Sequence, residues 1–342
     1  MDVLKKYLDK MGSHFIVASM VPALAFVVVV LMVFDSYLQV IAVLIVGQNE
    51  IYRIYSTTLV LFVPTIIIGF SLTALSNYIF KVFEGYLVIN HIPFLKQYHQ
   101  RKAIKLQSQI GRLERRIKRL EKKGTSKRSR EDLPALKNEY YTLASKYDSS
   151  YPSCIKNVLP TEFGNKLRAS ESYPLTRYGI DAVPFWSRLY YMIPEKYQNA
   201  IDQSRNEVSF LMNCSVLSGL FAFLCILAYI QLEFFPELFV DESVTDNPRL
   251  YLFFFVVAVA IFWFFGRTSS RVIDSFGSMI RSTYDLFRLD LLKHLRLKLP
   301  KDSDEEFYIW KNLGELVVLG QHSLEFKKLK YCHPPDTQSD TH

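Results

Sequence analysis

With 342 residues, 50% of them hydrophobic, and a formal net charge of +8, the chain has a mean hydropathy of only +0.09. That balance excludes a transporter embedded almost wholly in lipid, and the long apolar runs exclude an ordinary water-soluble globule. The four cysteines, Cys154, Cys214, Cys225 and Cys332, show no C-x-x-C spacing, so neither a disulfide framework nor a thiolate metal site follows from them.

Four stretches carry no charged residue: Phe15 to Phe34, Thr57 to Phe80, Val208 to Leu232 and Leu250 to Gly266. A ~30 Å hydrocarbon core takes ~20 residues at ~1.5 Å each, so all four read as transmembrane helices, the last at the short end of the range. The first is too long for a signal peptide and ends in Phe34, Asp35 and Ser36 without a small-residue cleavage site. Of the 41 Lys and Arg residues, 39 lie on one side of these segments; Arg53 and Arg249 lie on the other. Cytoplasmic loops hold the positive excess. The expected topology is therefore a multi-pass protein of the cell inner membrane with both termini and the long middle segment cytosolic. Between the first two spans, the apolar run at 39–47 is too short to cross and reads as an interfacial or re-entrant segment.

The second span places Thr58, Thr65, Gly69, Thr73 and Ser76 at intervals that line one helix face. Such a face either packs closely against another membrane helix or lines a water-filled pore in an oligomer. The fourth span, with Phe253, Phe254, Phe255, Phe262, Trp263, Phe264 and Phe265, reads as lipid-facing.

After the second span the chain turns basic. Ala103, Leu106, Ile110, Leu113, Ile117 and Leu120 form a heptad seam, ending at Gly124 and the polar linker "TSKRSRED". A second helix is expected from near Pro134, with Leu136, Tyr140, Leu143 and Tyr147 on one face. The two helices make either an intramolecular hairpin or a coiled coil between chains. The basic patch of Arg115, Arg116, Lys118 and Arg119 suits a solvated face, an acidic lipid surface, or nucleic acid or another anionic ligand. No aromatic residue lies within 101–130, so a base-stacking platform is not expected there.

Residues 159–194 interleave charges and aromatics with turn formers. Arg168 and Glu171 are three apart and can share a helix face, and Asp181 suits the cap of a helix holding Trp186. One reading is a rigid ion-paired joint. The other is a binding pocket in which Arg168, Arg177 and Arg188 grip an anion, with Glu171, Tyr178, Asp181 and Trp186 around it. Helices are expected to run unbroken from Pro194 into the third span and from the fourth span past Arg267. Ser303 is the expected cap of a last helix that opens with Asp304, Glu305 and Glu306.

Across these segments the chain resembles a family of uncharacterised prokaryotic four-span membrane proteins. The resemblance rests on Glu84, Gly85 and Tyr86; on the pattern "LPT..GN.L...E.YP..RYG.D....W.RL" from Leu159 to Leu189; and on Asp285, Arg288, Leu291, Leu292, Pro300 and Trp310. It implies a prokaryotic inner-membrane protein and supplies no catalytic residues.

No catalytic signature, metal-ligand spacing or cofactor motif is present. The fold class is therefore all-α: a polytopic helical membrane protein with four transmembrane helices and a helical cytosolic region. It divides into a transmembrane pair (1–80), a basic hairpin or coiled coil (81–150), the motif region (151–207), a second transmembrane pair (208–266) and a cytosolic tail (267–342). The functional expectation is a homo-oligomeric gated pore or membrane effector of bacterial defence or stress response. The alternatives are a membrane-anchored scaffold recruiting a protein or nucleic acid, and an enzyme acting on an anionic substrate. The charge asymmetry is tested in a cysteine-free background: a cysteine at Ser126 resists a membrane-impermeant thiol reagent in intact cells and one at Thr245 is labelled, whereas the reverse pattern inverts the topology.

Overall fold

The computed structural model describes residues 15–35, 50–87, 93–123, 127–235, 247–320 and 331; at 50–59, 123 and 127–131 it describes the backbone alone. The apolar run at 39–47, the linker residues 124–126 and Cys332 lie outside them. Among the described residues the protein is mostly helical, with short irregular connections and one bridge between Leu297 and Tyr331. A π-helical turn, Ile16–Met20, leads into α1 (Val21–Val33). Then come α2 (Glu50–Ala74), α3 (Ser76–Glu84), α4 (Pro93–Lys123), α5 (Lys127–Ser150), α6 (Glu162–Tyr178), α7 (Ala182–Tyr190), α8 (Glu195–Phe234), α9 (Pro248–His294) and α10 (Ser303–Leu319). Among the described residues, three helices are long and apolar enough to cross a membrane, or four if the bent pair α2 and α3 counts as one span.

Two compact units share the chain: 1–83 with 203–272, and 84–202 with 273–342. In the first, α1, α8 and α9 close on a core of Phe221, Ala222, Cys225 and Ala258, with Phe26, Val30 and Phe34 packed against it. The small residues in that core let the helices approach. Phe254 and Phe255 join this core, so the fourth span is only partly the lipid-facing surface expected of it; Phe253, Trp263 and Phe264 are exposed.

The π-turn follows from Pro22. Proline has no N–H, so the carbonyl four residues earlier, that of Ala18, loses its α-helical donor. Asn213 replaces it from α8, its buried Nδ2 donating to Ala18 O at 2.7 Å. Ser215 ties α8 to α9 in the same way, its hydroxyl 3.0 Å from Phe262 O.

The expected single second span is instead broken. α2 and α3 meet at a bend of 59° around Leu75, one turn after Ser71 and Thr73 direct their hydroxyls at Ile67 O and Gly69 O. Hydroxyls bonded to the preceding turn bend helices. Ser76 consequently belongs to α3, off the straight face that carries Thr65 and Gly69.

In the second unit α4 and α5 form an antiparallel hairpin. Ala103 packs with Tyr147, Tyr151 and Val158, flanked by Leu106 and Ile110, and Lys137 Nζ meets Glu121 at 2.8 Å near the turn. α5 begins at Lys127 rather than near Pro134, which sits inside the helix. Pro134 itself is exposed, and the helix continues through it.

The "EGY" and "LPT..GN" segments meet. Thr161 caps α6, accepting from Gly164 N at 2.9 Å while donating to Glu84 O at 3.0 Å. A Cβ at Gly164 would run into that Glu84 carbonyl, and Gly85, at φ +91°, lies against Pro160. Asn165 closes the turn: Nδ2 donates to Leu159 O at 2.8 Å and to Thr161 O at 2.7 Å, and Oδ1 accepts from Leu159 N at 2.7 Å. Glycine supplies the close approach and the left-handed φ that this joint requires.

Candidate functional site

The polar residues nearest to a site lie where α6, α7, α9 and α10 of the second unit meet. α10 is capped by Asp302, whose side chain accepts from the Asp304 and Glu305 amides, not by the neighbouring Ser303. Its Trp310 is fully buried, edge-on to Phe185 of α7 with centroids 5.5 Å apart. This anchors α10 so that Glu306 faces Arg288 of α9, with Nε and Oε1 2.7 Å apart. The Arg288 guanidinium lies 3.9 Å above the Tyr178 ring and also donates to the Asp285 carbonyl. One turn earlier on α9, Asp285 accepts from Tyr178 at 2.8 Å and from Tyr173 at 3.2 Å.

Burial, reinforced by the bond to Asp285, pushes the Tyr178 phenol up; burial does the same for Tyr173. Both phenols therefore stay protonated and remain donors. The cluster joins α6, α9 and α10 through two phenols, one guanidinium and two carboxylates, all turned on one another. Its chemistry is that of a fastening.

The pocket of three arginines is not formed. Arg168 and Arg177 are nine residues apart on α6, about half a turn out of phase and ~13.5 Å apart along the axis. Arg168 pairs with Glu171 at 3.2 Å, Arg177 lies 5.0 Å over the Tyr173 ring, and Arg188 donates to the Pro184 carbonyl. Glu171 is lifted above the usual carboxylate range by burial, against the opposing pull of Arg168. Asp181 caps α7, accepting from Val183 N at 3.3 Å. Trp186 packs 6.3 Å from Tyr284, whose hydroxyl donates to Ala182 O at 2.7 Å. Of the expected ligand residues only Tyr178 enters the fastening; Asp285, Arg288, Tyr173 and Glu306 join it from outside that set.

In the apolar unit, Thr65 and Gly69 are buried, Gly69 against Met20 and Phe15, and the Thr73 hydroxyl lies 3.0 Å from that of Ser19. This face of α2 meets the segment leading into α1. Ser76 is half-buried on α3; the Thr58 side chain lies outside the described residues. Arg115, Arg116, Lys118 and Arg119 are exposed on α4. Lys118 pairs with Glu114 at 2.6 Å, and Arg115 donates to Gly111 O.

No family model matches this chain, and no curated protein or solved structure shows significant similarity to it.

Arg288 and Glu306 are 18% and 11% exposed, buried enough that removing one partner strands the other charge. Glu306→Ala is expected to cost on the order of 3 kcal/mol, read as a lower melting temperature in detergent. The paired Arg288→Met and Glu306→Leu change recovers most of that loss. A double variant no more stable than the single one would show that the pair is not the unit of stability.

Proposed function

We propose that this chain is an inner-membrane effector with four spans, counting the bent α2 and α3 as one. In this reading both termini and the polar unit lie in the cytosol, where the polar unit receives a signal and the apolar unit acts on the membrane. The observation that carries the reading is helix continuity. α8 and α9, 40 and 47 residues long, each have residues in both units without a break, so a displacement at the polar end is carried along a stiff rod. The Tyr178, Asp285, Arg288 and Glu306 fastening grips the polar end of α9 and gives a rearrangement in α6 or α10 a handle on it.

The membrane action proposed is permeabilisation by an assembly of copies. Because Thr65 and Gly69 of α2 are buried within the chain, the pore of this reading forms between other surfaces of the copies. A second reading, a membrane-anchored scaffold, is favoured by one feature: the exposed row of Arg115, Arg116, Lys118 and Arg119 is open to a partner protein or nucleic acid.

Interrupting α8 between the units tests the coupling. Expression of the unaltered chain is expected to depolarise the inner membrane, followed with a voltage-sensitive dye. Gln203→Pro, which costs roughly 3 kcal/mol of helix stability locally, abolishes that effect at equal abundance in the membrane. An unaltered chain that never depolarises, and instead captures a partner through the basic row of α4, would replace the effector with the scaffold.

A further inference from the structure

The hairpin and α6 enclose a cavity of about 520 Å³ in the second unit, within the size range of small-molecule sites. One wall is a single face of α4, where His99, Lys102 and Lys105 recur every three residues; Lys146 of α5 also lines the cavity. α6 contributes Lys166, held 3.3 Å from Glu162 and 2.8 Å from Asp274. One ammonium thus serves both carboxylates. Lys102, Lys105 and Lys146 are exposed, and none has a carboxylate within ion-pair distance among the described residues. Four lysines against two carboxylates leave the lining with a formal excess of +2.

Packing does not require these lysines, because the hairpin is held by Ala103, Leu106, Ile110 and Tyr147. Gathering like charges at one cavity is unfavourable unless an anion offsets it. A second feature points the same way: His99 Nδ1 is buried without a hydrogen-bond partner, a state that buried polar atoms rarely keep. Burial, aided by Lys102, lowers the His99 pKa, so the neutral ring can present Nδ1–H to an incoming oxygen. Stacking surface is scarce: the aromatic lining residue Tyr151 is only 6% exposed and packs against Tyr147 and His99. Ser150 and Gln109 add a hydroxyl and an amide.

We infer that this cavity binds a small, compact anion carrying two or more phosphate charges, with Lys102, Lys105 and Lys146 as its charge contacts and His99 as a hydrogen-bond donor. Such a ligand is the kind of signal that the effector reading calls for, but the site stands or falls on binding alone.

Titration calorimetry of the purified full chain in detergent tests it, with pyrophosphate, orthophosphate and sulfate as probes. Pyrophosphate is expected to bind one per chain and more tightly than either of the other two. Changing Lys102, Lys105 and Lys146 together to Gln weakens it about 100-fold or more, at charge-assisted contact strengths. The same change at Arg115, Arg116, Lys118 and Arg119 leaves it within about threefold, as expected of residues outside the site. His99→Phe lowers affinity with the melting temperature intact, a check that does not depend on the lysine variant folding. Repeating the titration in nanodiscs of phosphatidylglycerol separates two sources of the phosphate: undiminished pyrophosphate binding assigns the site to a free anion, and lysine-dependent competition assigns it to a lipid headgroup. Equal binding of sulfate and pyrophosphate, unaffected by the triple lysine change, would mean an adventitious ion only and overturn the site.

Discussion

Hydrocarbon offers no hydrogen-bond partners, so every backbone N–H and C=O that enters it must be satisfied from within the chain. The apolar unit is organised by that demand. α8 and α9 meet it by remaining unbroken for 40 and 47 residues. The first apolar segment meets it differently: Pro22 leaves the Ala18 carbonyl short of its usual donor, and Asn213 supplies one at 2.7 Å from α8. One side-chain amide thereby fixes the register of α1 against α8, and the Phe221, Cys225 and Ala258 core packs on that register. Where the chain does bend, at Leu75, backbone bonds run across the bend, Leu75 N donating to Ser71 O at 2.8 Å and Ile79 N to Leu75 O at 2.9 Å.

The polar unit solves another problem, orienting short helices whose buried side chains include Phe163, Phe185, Leu189, Leu292 and Trp310. It uses paired devices at each end of α6. At its start, Thr161, Gly164 and Asn165 lock the chain onto the Glu84 segment. At its end, Tyr173 and Tyr178 grip Asp285, and Arg288 bridges the Tyr178 ring to Glu306. The dense motif of residues 159–194 is largely accounted for by these structural contacts. The lysine-lined cavity borders the first of these devices through Asn165, and Lys102, Lys105 and Lys146 of its lining are exposed.

Sequence periodicity reveals what local spacing controls. The first, third and fourth apolar segments, the Ala103, Leu106 and Ile110 part of the seam, the Arg168–Glu171 pair and the Asp181 cap depend on residues within a turn or two of each other, and each is found where the spacing puts it. Contacts distant in sequence were not legible: nothing local joins Asn213 to Ala18, or Arg288 to the Tyr178 ring. The bend at Leu75 was hidden because Ser71 and Thr73 suit a packing face as well as a hydroxyl-induced bend. The cap of α10 fell one residue early because Asp302 and Ser303 are adjacent and both competent. The three-arginine pocket fails on helical geometry, since a nine-residue interval on one helix puts Arg168 and Arg177 on opposite faces. The spacing of His99, Lys102 and Lys105 is local to α4, whereas Lys146 and Lys166 join them only through tertiary packing.

Signal transmission of the kind proposed requires α8 and α9 to act as stiff connections between the polar and apolar parts of the chain. Hydrogen exchange of the full chain in lipid nanodiscs, resolved along residues 195–234 and 248–294, addresses this directly. Continuous slow exchange through Gln203 on α8 and Val272 on α9 is the expected result. A fast-exchanging gap at either position would mean that the helix is hinged there, and the proposed transmission along it would be wrong.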